Sequence, residues 1–444
     1  MTTPLAEATD LLQHLIRNQC VNDGRLESGD EVRNAQTLGA YLAGPGVEIK
    51  QYESRPGRGS MALRIEGSDK KAPSLLLMGH IDVVPADANG WKRDPFCGDL
   101  IDGEIWGRGA IDMLSITTTM AVAVKQLLRS GWKPKGTLIF SGMADEEALG
   151  TWGAEWLVEN HWADFKADAV LTESGEPPLP IPTKGGPKAI MVVGEKGSHW
   201  VGLKVKGTPG HGSAPYKSDN ALVKAAEVVK RIAAYQPTLH LGGAWREFVD
   251  AMQFEEPLAS GLVSDSAFRA TIDRVPRGLA ALFDASTHTT FSPNILHSGQ
   301  KTNIIPDSAL LQVDIRTVPG DAGPQVHAML QEAIGDLWDY VEITDEDSNP
   351  STTSTTDTPI FQTMRSVTKR IGKADIVPAF TVGATDSRFF RRKGVPAYGY
   401  SLYSSKIDFG EFMTMFHGRN ERIDQDSLQL MLDLYEQTAR EFLG

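Results

Sequence analysis

PSLLLMGHIDVVP, from Pro73 to Pro85, sets four apolar residues, Leu75 to Met78, between prolines and ends them on His80 and Asp82. A short apolar run of this kind is a strand buried on both faces, as in a parallel sheet covered by helices. Side chains two apart share a face, so His80 and Asp82 emerge together at the strand's C-terminal end. In open α/β sheets ligands bind at that edge. Taken by itself, the pair also fits a strand end turning into a loop.

Outward from this strand, apolar runs alternate with helical patterns: SLLLMGHIDVV, ITTTMAVAVKQLLRSG, GTLIFSGMADEE, GTWGAEWLVENHW and ADAVLTES. That alternation predicts an α/β domain with a helix-covered, mostly parallel sheet. Beyond the proline-rich EPPLPIPTKGGP the pattern changes. HWVGLKVKG places Val201, Leu203 and Val205 on one face of a half-exposed strand, and ALLQVDIRTV repeats the alternation. Two amphipathic helices, through Leu222, Ala225, Val229 and Ile232 and through Val326, Met329, Leu330, Ala333 and Ile334, complete a small α+β insertion layered on one side. The mixed stretch 234–300 is too long for a plain loop and predicts some helix. STTSTTDTP, Ser351 to Pro359, reads as a hinge back to the first domain or as a surface loop.

With 444 residues the chain is long enough for two or three domains. Its net charge of -13 argues against nucleic acid or an anionic membrane as partner, and the basic run Arg391 to Lys393 is too short to reverse that. Leu5, Ala8, Leu12, Leu15 and Ile16 lie on one helical face, which predicts a folded helix and no signal peptide. Two cysteines, Cys20 and Cys97, are too few for a disulfide framework or a thiolate metal site, so a cytoplasmic home is expected.

Chemistry-bearing residues recur at predicted strand ends and in glycine-rich turns. Asp112 lies in GRGAIDM, Asp145, Glu146 and Glu147 follow the strand TLIF, Glu173 follows AVLT, and His417 sits in TMFHGRNERI. Adjacent carboxylates repel, and cations relieve the repulsion. Histidine and carboxylate ligands without cysteine suit a catalytic Zn²⁺, with Mn²⁺ or Co²⁺ as substitutes. Two such ions can share a carboxylate.

GHIDVVP, GRGAIDM, ADEEALG, GHGSAP and the late HG, in this order, resemble the M20 family of metallopeptidases and amidohydrolases, relatives of aminoacylase, acetylornithine deacetylase and glutamate carboxypeptidase. The resemblance implies a catalytic domain from residues 1–192 and 353–444, with a lid and dimerisation domain at 193–352. It implies that Asp112 bridges two Zn²⁺ ions, with His80 and Glu173 on one and Glu147 and His417 on the other. Asp82 would orient the His80 ring and Glu146 would be the general base. His211 of GTPGHGSAP would donate to the oxyanion, from the same chain or its dimer partner.

Asn303 and Arg316, with Arg388 and the backbone at Gly383, resemble family segments that grip a substrate carboxylate. The implied reaction cleaves an amide beside a free carboxylate in an N-acyl amino acid or small peptide, by a homodimer joined through the lid. A dipeptidase or carboxypeptidase shares every one of these residues, and a metal-binding pseudoenzyme acting as an interaction module is the rival from outside enzymes. Leu114 and Ser115 stand where many family members have Lys and Gly, which puts the branch, and so the substrate, in doubt.

Overall fold

The protein is described here by a computed structural model of residues 2–444. The strand Ser74–His80 lies in the middle of a nine-stranded sheet. It pairs in parallel with Thr137–Met143 on one side and with Ala169–Thr172 on the other. Leu75 and Leu77 join the core under the helices Pro4–Arg17, Leu114–Arg129 and Gln425–Leu443, while Leu76 and Met78 join a second core on the opposite face. Burial on both faces is the reason this strand carries no alternation. The first helix begins on Thr3, whose hydroxyl accepts from Ala6 N at 3.2 Å, with Pro4 at its first position.

The sheet is completed by late sequence. Ala397–Gly399 runs parallel to Ala169–Thr172, and Asp375–Thr381 runs parallel to Lys188–Glu195. The outer strands Ile49–Glu53 and Gly59–Ile65 are antiparallel.

After Glu195 the chain passes into a four-stranded antiparallel sheet, ordered Thr290–Ser298, Ser308–Thr317, Gly197–Lys206, Val341–Asn349. It returns at Thr352–Thr353, which pairs with Glu195 and Gly194. Helices Ala221–Ala234 and Gly323–Ile334 cover one face of the small sheet, closing over Val201, Leu203 and Val205. The stretch left open in sequence forms helices Gly243–Met252, Leu258–Gly261, Phe268–Ile272 and Arg277–Thr287 before the strand at Thr290. Their core of Trp245, Phe248, Phe254, Phe268 and Phe283 packs against Ile190 and Val377 of the large sheet. Among the described residues no helix is long and apolar enough to cross a membrane.

One glycine is demanded by the turn that carries Asp112. Gly109 has φ +89°, and a Cβ there would lie 2.7 Å from both Leu114 Cδ1 and Val83 Cγ1. Leu114, the residue that departs from the family pattern, is thereby wedged under the turn in the core. Gly109→Ala is expected to cost about 2 kcal/mol or more through backbone strain and overpacking, read as a lower guanidinium midpoint with unchanged secondary structure.

Candidate metal centre

The C-terminal edge of the large sheet gathers the predicted residues. His80 ends one strand, Glu146 and Glu147 sit in a short helical turn after Thr137–Met143, and Glu173 follows Ala169–Thr172. Asp112 stands between two imidazoles. Its Oδ1 is 3.1 Å from His80 Nε2 and its Oδ2 is 3.0 Å from His417 Nε2. Around them, Glu173 Oε2 is 3.6 Å and Glu146 Oε2 4.0 Å from His80 Nε2, while Glu147 Oε2 is 3.2 Å from His417 Nε2. Asp112 and His80 are buried, and His417 is half-exposed against the ring of Phe416.

Four carboxylates in so little space change one another's ionisation. Burial, and then the charge of Glu173, push the Glu146 carboxyl well above its ordinary range. Burial and the charge of Asp112 push Glu147 up to about 7. Hydrogen bonds to Asp112 and Glu147 push His417 up to about 10. Burial works against charge on His80, yet its bonds to Asp112, Asp82 and Glu173 override that and raise it well above the usual imidazole value. Burial opposes ionisation of Asp112 as well, and the two histidines win, holding its carboxyl low.

This donor set fits a pair of divalent cations. Glu147 Oε1 and Glu173 Oε1 are buried without a hydrogen-bond partner, an arrangement that is costly unless a cation takes the lone pairs. His80 forms one compact donor group with Glu146 and Glu173 and another with Asp112 and Glu147. Imidazole and carboxylate donors are ligands zinc accepts at an open, catalytic site. Protons hold the same positions that a cation would claim, so binding releases protons and weakens as pH falls.

Asp82 is beside His80, with a difference from expectation. His80 Nδ1 is 3.0 Å from the backbone carbonyl of Asp82 and 3.5 Å from its carboxylate Oδ1. The carboxylate is also engaged elsewhere: Oδ2 accepts from Asn22 Nδ2 at 2.9 Å and from Glu147 N at 3.2 Å. Asp82 thus ties the His80 strand to the Glu147 turn. Arg388 is buried, and its guanidinium donates to the carbonyls of Thr385 at 2.5 Å and Leu149 at 2.6 Å, fastening the Gly383 loop to the same turn. Arg316 is held by Asp314 at 2.8 Å on its own strand. His211 pairs with Ile304 in a short ladder of Gly210–His211 with Ile304–Ile305, and beside it Gly212 N donates to Asn303 O. Among the described residues no hydrogen bond or ion pair joins His211, Asn303 or Arg316 to the acidic cluster.

Several supporting groups escaped the sequence. Glu421 is fully buried and accepts from Arg108 Nη1 at 2.7 Å and from the backbone N–H groups of Gly109, Ile111 and Asp112. Arg108 also donates to the carbonyls of His417 and Gly418. Deeper still, Arg58 pairs with Glu31 and bonds Asn22. Asp386 is buried beside the site with Oδ1 unpartnered, and burial pushes its carboxyl up. The only signal for Glu421 was its place four residues after His417, in a motif quoted for the histidine. Glu421→Ala should leave Arg108 buried and uncompensated, costing about 3–5 kcal/mol in denaturant unfolding and weakening metal retention on dialysis.

The model of peptidase family M20/M25/M40 matches residues 76–441. The N-fatty-acyl-amino acid synthase/hydrolase PM20D1 of Xenopus tropicalis is 28% identical over 385 residues, spanning 85% of this chain and 74% of that protein. Among solved structures, the M20 family metallo-carboxypeptidase Sso-CP2 from Sulfolobus solfataricus superposes with TM-score 0.73 at 19% identity, covering 100% of this chain and 99% of that one. The YXEP protein of Bacillus subtilis, described as a dinuclear metal binding peptidase, gives 0.64 at 15% identity, with 99% of each chain covered.

Proposed function

The chain belongs to peptidase family M20/M25/M40, a family of metallopeptidases and amidohydrolases, and from that premise we propose that it hydrolyses N-acyl amino acids, cutting the amide beside a free carboxylate. The observation that carries this reading is Asp112 lodged between His80 and His417 with Glu146 at their side. His80 with Glu173, and Glu147 with His417, would hold one divalent cation each, Asp112 would serve both, and the two ions would be Zn²⁺, with Mn²⁺ or Co²⁺ able to replace it. Bound there, they would acidify a water and polarise the amide carbonyl.

Glu146 takes the proton of the attacking water and returns it to the leaving nitrogen. Asp82 and Asn22 hold the Glu147 turn and the His80 strand in register while this happens. The small sheet, with the helices Ala221–Ala234 and Gly323–Ile334, acts as a lid within residues 193–352, while the helices at 243–287 stay packed on the large sheet. Its closure, or that of the lid of a dimer partner, brings His211 to the oxyanion, with Asn303 and Arg316 at the substrate carboxylate, which Arg388 and the backbone of Gly383 meet from the other side. Exposed Leu222 and Val223 on the lid helix, with Ile295 and Leu296 on its edge strand, support pairing with a second copy. The unpaired Cys20 and Cys97 accord with a cytoplasmic home.

An apolar acyl group is favoured over a peptide by the helices at 243–287. Glu176, three residues beyond Glu173, lines a cavity of about 60 Å³ with Ile190, Trp245, Phe248 and Phe283. This cavity shares Trp245, Ser286 and Phe380 with an outer pocket of about 330 Å³ beside Lys196 and His240. Aromatic walls in a cavity that begins at Glu176 suit a hydrocarbon chain, and the name of the Xenopus relative points the same way.

A panel from N-acetyl to long-chain N-acyl amino acids, with dipeptides alongside, tests the reading. Turnover should rise with acyl length and vanish when the amino-acid carboxylate is esterified, whereas dipeptide cleavage without acyl hydrolysis would move the chain to the peptidases. Glu146→Gln should lower kcat by about 10²–10⁴-fold with metal content unchanged.

Burial pushes Glu176 up to about 7. Between the unfolded carboxyl value and that point the folded state binds more protons, so this group's contribution to stability declines as pH rises and is fully unfavourable above 7. In chelated protein, Glu176→Gln should therefore be more stable than the parent at pH 8, by about 3 kcal/mol, and the gap should narrow toward pH 5.

A further inference from the structure

We propose that the lid carries its own metal site, separate from the catalytic cluster, in which His199, His327 and Glu346 bind one Zn²⁺ or a similar imidazole-seeking divalent cation. The three donors come from three elements: the strand Gly197–Lys206, the helix Gly323–Ile334 and the strand Val341–Asn349. Their ligand atoms form a single compact group. His199 continues the inward row of Val201, Leu203 and Val205, a place where the pattern calls for another apolar side chain. It is 2% exposed.

Donor geometry favours a cation over a simple ion pair. His199 Nε2 is 2.6 Å from Glu346 Oε1 without meeting the geometry of a hydrogen bond. A buried imidazole nitrogen without a hydrogen-bond partner is costly unless a ligand meets it. His327 Nε2 reaches the same carboxylate at 3.2 and 3.3 Å. Two bonds of about 2.0–2.1 Å at a tetrahedral angle put their donor atoms roughly 3.3 Å apart. The other nitrogen of His199, Nδ1, is 3.0 Å from Ser348 Oγ, the kind of outer partner that fixes a ligating ring. Three protein donors leave a fourth position for water. Glu346 also lies near Gly323 at the start of the helix, so the carboxylate has a helix-dipole partner even without metal, and the test must count ions.

The place matters as much as the ligands. His199 stands four residues after the strand Lys188–Glu195, and Glu346 and Ser348 stand just before the return at Thr352. A cation here would cross-link the first and last chain crossings at the base of the lid to one of its helices.

The experiment equilibrates the full-length protein, His327→Ala and Glu346→Gln with a modest excess of Zn²⁺, removes free ion by gel filtration and counts zinc per chain by elemental analysis. The parent should hold one more equivalent than either variant, and both variants should keep the parent's hydrolysis rate, since neither residue belongs to the catalytic cluster. In Co²⁺-loaded protein the parent-minus-variant spectrum should show the visible bands of a four-coordinate ion. Because the readout is a difference, it is independent of how many ions the catalytic residues hold. Equal zinc in all three proteins overturns the site and leaves a hydrogen-bonded clasp. Loss of more than one equivalent in both variants overturns its separateness.

Discussion

The buried pair of Arg108 and Glu421 holds the catalytic edge together. Glu421 spends its carboxylate on the turn before Asp112, and Arg108 spends its guanidinium on the loop of His417. Removing two charges from water is unfavourable, and an ion pair of this kind adds little net stability over a well-packed apolar pair. What it fixes is relative position: two segments 313 residues apart in sequence bring Asp112 and His417 to one point. Every other feature of the site presupposes that alignment.

Within it, the residues are frustrated on purpose. Like charges crowd around His80, and the backbone adopts left-handed φ at Asp145, Leu149, Ser174 and His417, all non-glycine residues in or beside the cluster. Such conformations cost of order 1–3 kcal/mol each and persist where surrounding structure enforces them. Arg388 bonding to Leu149 O, Asp145 Oδ2 accepting from Trp152 N and Ser401 Oγ donating to Ser174 O supply that enforcement.

The opening strand was legible because burial on two faces and polar residues at one end leave little choice of fold. His80, Asp112, Glu146, Glu147, Glu173 and His417 were legible because each sits at a strand end or in a glycine-rich turn. Glu421, Arg108, Asn22 and Arg58 were not, since a buried polar residue that serves another polar residue carries no periodicity. The helices at 243–287 were illegible in outline for a different reason. They are short, and their aromatic rings pack on one another and on the large sheet, which blurs a simple amphipathic stripe. The bonds of Arg388 to the carbonyls of Thr385 and Leu149 were not legible, because only the folded chain brings those carbonyls near.

The order of strands also sets a timetable for synthesis. Ala169–Thr172 has its neighbour on one side, Ser74–His80, soon after it is made, but its other neighbour is Ala397–Gly399. At about 5–20 residues per second, a nascent chain would carry that open strand edge for on the order of 10–40 s before its partner could dock. Unpaired edges recruit other strands. The middle of the large sheet therefore stays open until Ala397–Gly399 has been made, and the core over it is closed only by the final helix Gln425–Leu443.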